Sequence, residues 1–383
     1  EKTNITYDNE IELSNFQKQK YQIKKPHIPK KINGNEFTIY EHQLNALNSW
    51  KANSSFKGIF ELATGTGKTI TSIYGAVNIY KAKKRLCLII AVPYISLADQ
   101  WVDELKKFNI VPIKCYEGYK NWENDLIDKI TKFNSKFIDF LPLVVVNDTL
   151  IKDRFQALLK KIDQGSLFII GDECHHHGSE YYNNSLPKNA KYRLGLSATP
   201  NHYLLAENNK RLKEYYGNIV YEYSLKQAID DKILCPYEYN IINVTLTYDE
   251  QEEYRDLSKQ ISRRYAINQG LMDNIMQGLI SQRIRLIGNA ENKLLMLDNL
   301  LKDRKPESHT LFYCGEGSIR VEGDYSVANE EDENSGATRQ IEQVSEIIAS
   351  HGWKSSRFTN REPRNIKPDI LNNFKEGSID ALV

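Results

Sequence analysis

With 383 residues, 40% of them hydrophobic, the chain is long enough for two domains and a connector with sizeable cores. Its 51 basic and 50 acidic residues leave a net charge of +1, so bulk charge gives no attraction to nucleic acid and any binding groove must be local. No charged-then-apolar leader opens the chain, and its most apolar stretch, Leu86 to Ala98, is shorter than a bilayer span and interrupted by Pro93, so a membrane protein is not expected.

Residues 1–36 read as a basic linker or tail. Lys18, Lys20, Lys24, Lys25, Lys30 and Lys31 fall in a run without an acidic residue, which suits a phosphate-contacting arm and a solvated linker equally. The first residue, Glu1, is not an initiator Met, and a trimmed chain or a piece of a longer one is expected. From Phe37 to about Tyr223 short apolar runs alternate with helical patterns, the signature of a mostly parallel sheet covered on both faces. The expected strands are Gly58–Leu62, Leu86–Val92, Val111–Cys115, Leu143–Val146, Leu167–Gly171, Tyr192–Leu196 and Ile219–Tyr223. Ser96–Lys107 and Thr149–Lys161 carry apolar residues at helical spacing and should pack on that sheet.

The first strand runs into Leu62-Ala63-Thr64-Gly65-Thr66-Gly67-Lys68-Thr69, and a helix-prone run, Ile70 to Tyr80, follows. A glycine-spaced turn between a strand and a helix N-terminus is where phosphates bind, because converging backbone N–H groups and the helix dipole both favour negative charge. Lys68 is expected to reach the β- and γ-phosphates, and the Thr69 hydroxyl to ligate their magnesium ion. The strict P-loop pattern has glycine where this chain has Leu62, so the match rests on the flanking strand and helix. Leu167 to Gly171 then delivers Asp172 and Glu173 to the carboxyl end of a strand, where ligands of open α/β sheets bind. Asp172 is expected to hold magnesium through water and Glu173 to orient and deprotonate the attacking water. Alone, such a pair is commonly a solvated turn; in tandem with the P-loop it reads as catalytic.

Asp172-Glu173-Cys174-His175 resembles the DExH box of superfamily 2 helicases and translocases, and Leu196-Ser197-Ala198-Thr199-Pro200 resembles their motif III. Ile39-Tyr40-Glu41-His42-Gln43, with Ala46, is similar to the Q-motif, although His42 stands where an aromatic residue is usual. The resemblance implies that Gln43 reads the adenine edge and that the Ser197 and Thr199 hydroxyls couple nucleotide state to nucleic-acid grip. Val92-Pro93-Tyr94, with Leu97, Gln100 and Trp101, resembles motif Ia, and Val146 to Thr149 lies where a further nucleic-acid-contacting segment is expected. Pro93, Tyr94, Gln100 and Thr149 are therefore expected nucleic-acid contacts. The runs Tyr216 to Ile229 and Leu234 to Tyr237 look like the helicase modules of type I and type III restriction subunits and related bacterial repair or defence translocases, which favours DNA as the track.

The implied architecture is an α/β RecA-like lobe at 37–235, a connector with long helices at 236–305, and a truncated second RecA-like lobe at 306–383. The connector carries Arg263, Arg264, Arg283 and Arg285, and fits a nucleic-acid clamp or a salt-laced helical hairpin. Leu294, Leu295, Leu297, Leu300 and Leu301 read as core. The run His309 to Cys314 resembles motif IV, followed by a helix near Arg339–Ser350 and a strand near Lys354–Phe358. The chain stops at Val383, where motif V is expected to open and before motif VI, whose arginine completes the ATP site in the family. Weak hydrolysis by this segment is expected, since such an arginine is worth ~10³ or more in rate, and neither Arg320 nor Arg339 stands where the family has it.

Five scattered cysteines imply a reduced, cytoplasmic compartment. His175-His176-His177 does not read as a zinc site, because adjacent side chains diverge. The reading is an ATP- and magnesium-dependent DNA helicase or translocase, binding its track independently of sequence and belonging with nuclease or other domains of a parent protein. An RNA helicase, or a nucleotide- or nucleic-acid-binding module of a larger assembly, stays open as the alternative.

Overall fold

The computed structural model describes residues 25–53, 55–162, 164–201, 206–268, 273–314, 336–359, 361–363 and 365–383. Lys18, Lys20, Lys24 and Arg320 lie outside them, as does the side chain of Arg339. The chain divides into two compact units between Tyr237 and Glu238.

In the first unit, strands β1 (Lys57–Leu62), β2 (Leu86–Val92), β3 (Ile113–Cys115), β4 (Phe140–Val146), β5 (Leu167–Asp172), β6 (Tyr192–Ser197) and β7 (Ile219–Tyr223) form one sheet in the order β3-β4-β2-β5-β6-β1-β7. Every neighbouring pair is parallel. The central strands are nearly unbroken runs of Leu, Ile and Val because both faces are covered. Alternation sorts these side chains. Leu86, Leu88, Ile90 and Val92 join a core with helices α1 (Glu41–Ala52), α2 (Lys68–Lys83) and α3 (Ile95–Lys107). Cys87, Ile89 and Ala91 join another with α4 (Glu123–Asn134), α6 (Asp153–Leu159) and α8 (Ala206–Tyr216), with short helices α5 (Asn147–Leu150) and α7 (Glu180–Asn183) between them and α9 (Leu225–Asp230) after β7. Residues 25–36 are docked on the first core, with Ile28 and Ile32 packed against it and His27 N–H donating to Phe108 O at 3.0 Å.

All seven expected strands are present, several with ends shifted by one residue; β3 starts at Ile113 and not at the expected Val111, which is exposed, and one further strand and one helix differ for visible reasons. β4 begins at Phe140, three residues early, and takes Pro142 into the sheet opposite Leu88. Proline is tolerated there because β3 pairs only from Ile113 opposite Leu143, so β4 has an open side at Pro142. The helix expected over Thr149–Lys161 is instead two short ones, α5 and α6. Lys152 is extended at φ −69° and ψ 132°, and Gln156 Nε2 donates at 2.6 Å to Leu150 O, a carbonyl the first helix leaves without a partner.

The second unit opens with α10 (Tyr248–Ile267), α11 (Asn274–Gly288) and α12 (Glu291–Leu301). Thr247 caps α10 with Glu250 three residues on, a reciprocal capping box. Arg264 is paired with Asp273 at 2.6 Å, and Arg283 donates to Ser258 Oγ at 3.2 Å and lies over the Tyr254 ring, so both arginines serve the α10–α11 hairpin. Of the five leucines expected in the core, Leu294, Leu297 and Leu301 are there, while Leu295 and Leu300 are exposed. Spacing of three and four places the first three on one face, and the other two fall outside it. A three-stranded parallel sheet follows, β8 (Thr310–Leu311), β9 (Ser355–Ser356) and β10 (Ala381–Leu382), in the order β8-β10-β9. Its strands are shorter than the runs His309–Cys314 and Lys354–Phe358 suggested. Helices α13 (Gly336–Ser350) and α14 (Lys367–Lys375) accompany it, and Val344, Ile348 and Trp353 fill its core. No helix among the described residues is long and apolar enough to cross a membrane.

Candidate active site

The loop between β1 and α2 is shaped by two glycines and by helix α1. Gly65 and Gly67 both have φ +87°, a left-handed conformation that costs glycine nothing. At Gly67 space adds a second reason, because a Cβ there would stand 2.3 Å from Gln43 Nε2. Thr66 N–H and Oγ1 both donate to Ala63 O, at 3.3 and 2.7 Å, and tighten the turn. From α1, His42 Nε2 lies 2.9 Å from Thr66 O, and Gln43 Nε2 donates to Thr66 O at 3.3 Å and Gly67 O at 3.5 Å. In a trans peptide C=O and N–H point opposite ways. With the Thr66 and Gly67 carbonyls drawn towards α1, the N–H groups of Gly67 and Lys68 turn away from it. The start of α2 thus offers donors and a dipole to an anion. Leu234, near the end of the unit, closes over the loop: a Cβ at Gly65 would lie 3.1 Å from its Cδ2.

Lys68 Nζ is buried and makes no hydrogen bond among the described residues. Its nearest counter-charge is Glu173 Oε1 at 3.9 Å, beyond hydrogen-bond reach. An ammonium without acceptors is expensive to bury, so the residues here fit an anionic group that would supply them. Thr69, in the first turn of α2, and Asp172, at the end of β5, have the oxygen chemistry that magnesium takes alongside phosphate oxygens.

Asp172 is 5% exposed, and burial pushes its carboxyl up from the ordinary range while a hydrogen bond from Trp101 opposes the shift. Trp101 Nε1 donates to Asp172 Oδ2 at 2.7 Å, and Glu173 N–H donates to Oδ1 at 3.1 Å. Glu173 has φ 45° and ψ 51°, unusual for a residue with a side chain. Its other oxygen, Oε2, is 3.4 Å from His175 Nδ1, and the same nitrogen is 3.1 Å from Ser197 Oγ. Ser197 Oγ accepts from Thr199 N–H at 3.1 Å, while Thr199 itself is exposed. The structure therefore gathers Gln43, Thr64 to Thr69, Asp172, Glu173 and Ser197 at the carboxyl ends of β1, β5 and β6.

Pro93, Tyr94 and Gln100 stand beyond β2, and Thr149 beyond β4, at the adjoining part of the same edge. Tyr94 is 54% exposed, with its ring edge-on to His176 at 6.0 Å. Gln43, expected to face adenine, has its amide on backbone: besides its two acceptors, its Oε1 accepts from Tyr40 N–H at 3.0 Å. His42 is stacked on Tyr223 with centroids 4.3 Å apart, which leaves Tyr40, on the other side of the His42 ring, as the exposed aromatic.

A second group escaped the sequence. His177 is wholly buried, with Nδ1 2.8 Å from Tyr216 Oη and Nε2 2.9 Å from Asn147 Oδ1. The Asn147 oxygen can only accept, so Nε2 carries the proton and Tyr216 donates to Nδ1. Only glycine fits beneath, because a Cβ at Gly171 would meet Tyr216 Oη at 2.1 Å. Burial holds the His177 pKa down at about 3, from an ordinary 6.5. Below pH 6.5 the unfolded chain takes up a proton that the native ring refuses. Stability is therefore lost as pH falls from 6.5 towards about 3, by about 1.4 kcal/mol per pH unit. Urea unfolding should show a loss of about 2 kcal/mol by about pH 5 from this group. His177→Gln should remove that share of the pH dependence, and a variant with the full dependence would exclude His177 as its source.

Residues 36–202 match the family described as the res subunit of type III restriction enzymes. Every candidate site residue from Gln43 to Thr199 lies within the matched residues. "Putative helicase 22" of Sulfolobus islandicus filamentous virus (isolate Iceland/Hveragerdi) is 28% identical over 209 residues, which are 53% of this chain and 35% of the viral protein. The type I restriction enzyme EcoAI endonuclease subunit of Escherichia coli is 25% identical over 295 residues, 72% of this chain and 32% of that subunit. The chain thus spans about a third of the length of the curated relatives it matches. Among solved structures, the Pyrococcus furiosus Hef helicase domain is 14% identical, with a TM-score of 0.49, over 90% of this chain and 87% of that one.

Proposed function

We propose that this chain carries the ATP-binding lobe of a DNA helicase or translocase, a nucleic-acid-stimulated ATPase. The observation that carries the reading is the buried Lys68 ammonium, without a hydrogen-bond acceptor among the described residues and 3.9 Å from Glu173 where the β1 loop meets the end of β5. In this reading the backbone N–H groups from Gly65 to Thr69, together with Thr64, cradle the ATP phosphates, and Lys68 neutralises the β- and γ-phosphates. Thr69 and Asp172 would hold magnesium, which when bound screens the phosphate charge. Glu173 orients the attacking water and takes its proton. Gln43, whose Oε1 uses one of its two lone pairs on Tyr40 N–H, recognises the adenine edge. Ser197, joined to Glu173 through His175, and Thr199 pass the state of the site to the track. Pro93, Tyr94, Gln100 and Thr149 contact nucleic acid, chiefly at phosphates, which makes binding independent of sequence and sensitive to salt.

The test is saturable binding of magnesium-ATP, followed by ATPase rates with single-stranded DNA, duplex DNA and RNA side by side at fixed salt. Stimulation by DNA is expected, weakening as salt rises. Stimulation by RNA alone would make this an RNA motor, and absence of saturable magnesium-ATP binding would remove the motor reading altogether.

A further inference from the structure

Asp172 is anchored from a distant element. Trp101, 71 residues earlier in the chain, is 1% exposed and places its indole N–H on Asp172 Oδ2 at 2.7 Å. The other oxygen accepts Glu173 N–H, so the carboxylate plane cannot turn without breaking one of the two bonds. A buried indole N–H needs an acceptor, and an apolar ring would fill the same core without one. Trp101 belongs to α3, whose N-cap is Tyr94 and which also carries Gln100. One short hydrogen bond therefore joins the part of the sheet edge that holds Tyr94 and Gln100 to the part that holds Asp172.

We propose that Trp101 is a positioning residue that ties helix α3 to the Asp172 carboxylate, so that nucleic acid bound beside Tyr94 and Gln100 changes the affinity of the site for magnesium-nucleotide. The inference rests on the motor reading above and adds the physical link between its two ends. Coupling of this kind is reciprocal: whatever factor DNA applies to magnesium-nucleotide, magnesium-nucleotide applies to DNA. Removing the indole donor while keeping the ring should abolish that factor and leave magnesium-independent binding as it was.

The experiment compares wild type with Trp101→Phe. A fluorescent, non-hydrolysable ATP analogue is titrated at a series of magnesium chloride concentrations, with and without a single-stranded DNA oligonucleotide. The Phe variant is expected to bind the analogue normally without magnesium, to need roughly tenfold more magnesium for half-saturation, and to lose the effect of the oligonucleotide; tenfold corresponds to about 1.4 kcal/mol. An equal loss of affinity at every magnesium concentration marks simple packing and overturns the proposal. So does a variant indistinguishable from wild type. Should Trp101→Phe not fold, the Trp101 indole N–H resonance of the wild type decides: it is expected to shift on addition of magnesium with the analogue, and again with DNA, and a stationary resonance overturns the link. Absence of saturable magnesium-analogue binding in the wild type defeats the motor reading itself, whereas normal wild-type binding with an unaffected variant defeats only the role of Trp101.

Discussion

Replacing Glu173 by Gln is expected to slow nucleic-acid-stimulated ATP hydrolysis by ~10³-fold while leaving ATP binding within a few-fold of wild type, because a positioned general base contributes about 10² to 10⁴ in rate. The amide keeps the size and reach of the carboxylate but cannot take a proton from water. Glu173 is held by its backbone at φ 45° and by charged or polar neighbours on both oxygens, Lys68 Nζ at 3.9 Å and His175 Nδ1 at 3.4 Å, as the proposed role requires. The measurement is single-turnover hydrolysis with saturating DNA, set against equilibrium binding of ATP by the same protein. Wild-type turnover by the Gln variant would take Glu173 out of the water-activating role.

Lys68→Ala should weaken ATP binding by about a hundredfold or more, as expected when charge-assisted hydrogen bonds of about 1.5–3 kcal/mol each are lost from a largely desolvated site. Its ammonium has no acceptor among the described residues at the loop. The same fact predicts an opposite effect on the protein without ligand. Lys68→Met keeps the aliphatic stem and removes the buried charge, so its urea midpoint should rise, by the equivalent of about 1 kcal/mol or more. Isothermal titration gives the first quantity and equilibrium unfolding the second. A Met variant that unfolds earlier than wild type would mean that the protein alone satisfies the ammonium.

The sheet was legible because its strands are buried on both faces and leave apolar runs bounded by turn residues, as at Leu86–Val92 and Leu167–Asp172. The helix expected at Thr149–Lys161 failed because apolar spacing continues across the turn at Lys152, and periodicity does not register a break in the backbone. Leu295 and Leu300 failed for a related reason: five leucines crowd one segment, and spacing alone does not say how wide its buried stripe is. Within the candidate site, Lys68 and the pair Asp172-Glu173 stood out as short local motifs, and the structure brings the two motifs together. The contacts that hold them are not local. Trp101 reaches Asp172 across 71 residues, His177 meets Asn147 and Tyr216 from separate elements, and Gln43 supports the loop through carbonyl groups that have no signature in sequence.

The seat of Leu234 beside Gly65 bears on how the first unit can be handled by itself. A shortened protein ending at Asp230, the last residue of α9, would strip this cover from the phosphate loop, whereas one carried through Tyr237 keeps it. Domain dissection of the first unit should therefore retain that seven-residue extension, or weakened nucleotide affinity in the trimmed piece will be mistaken for a missing partner.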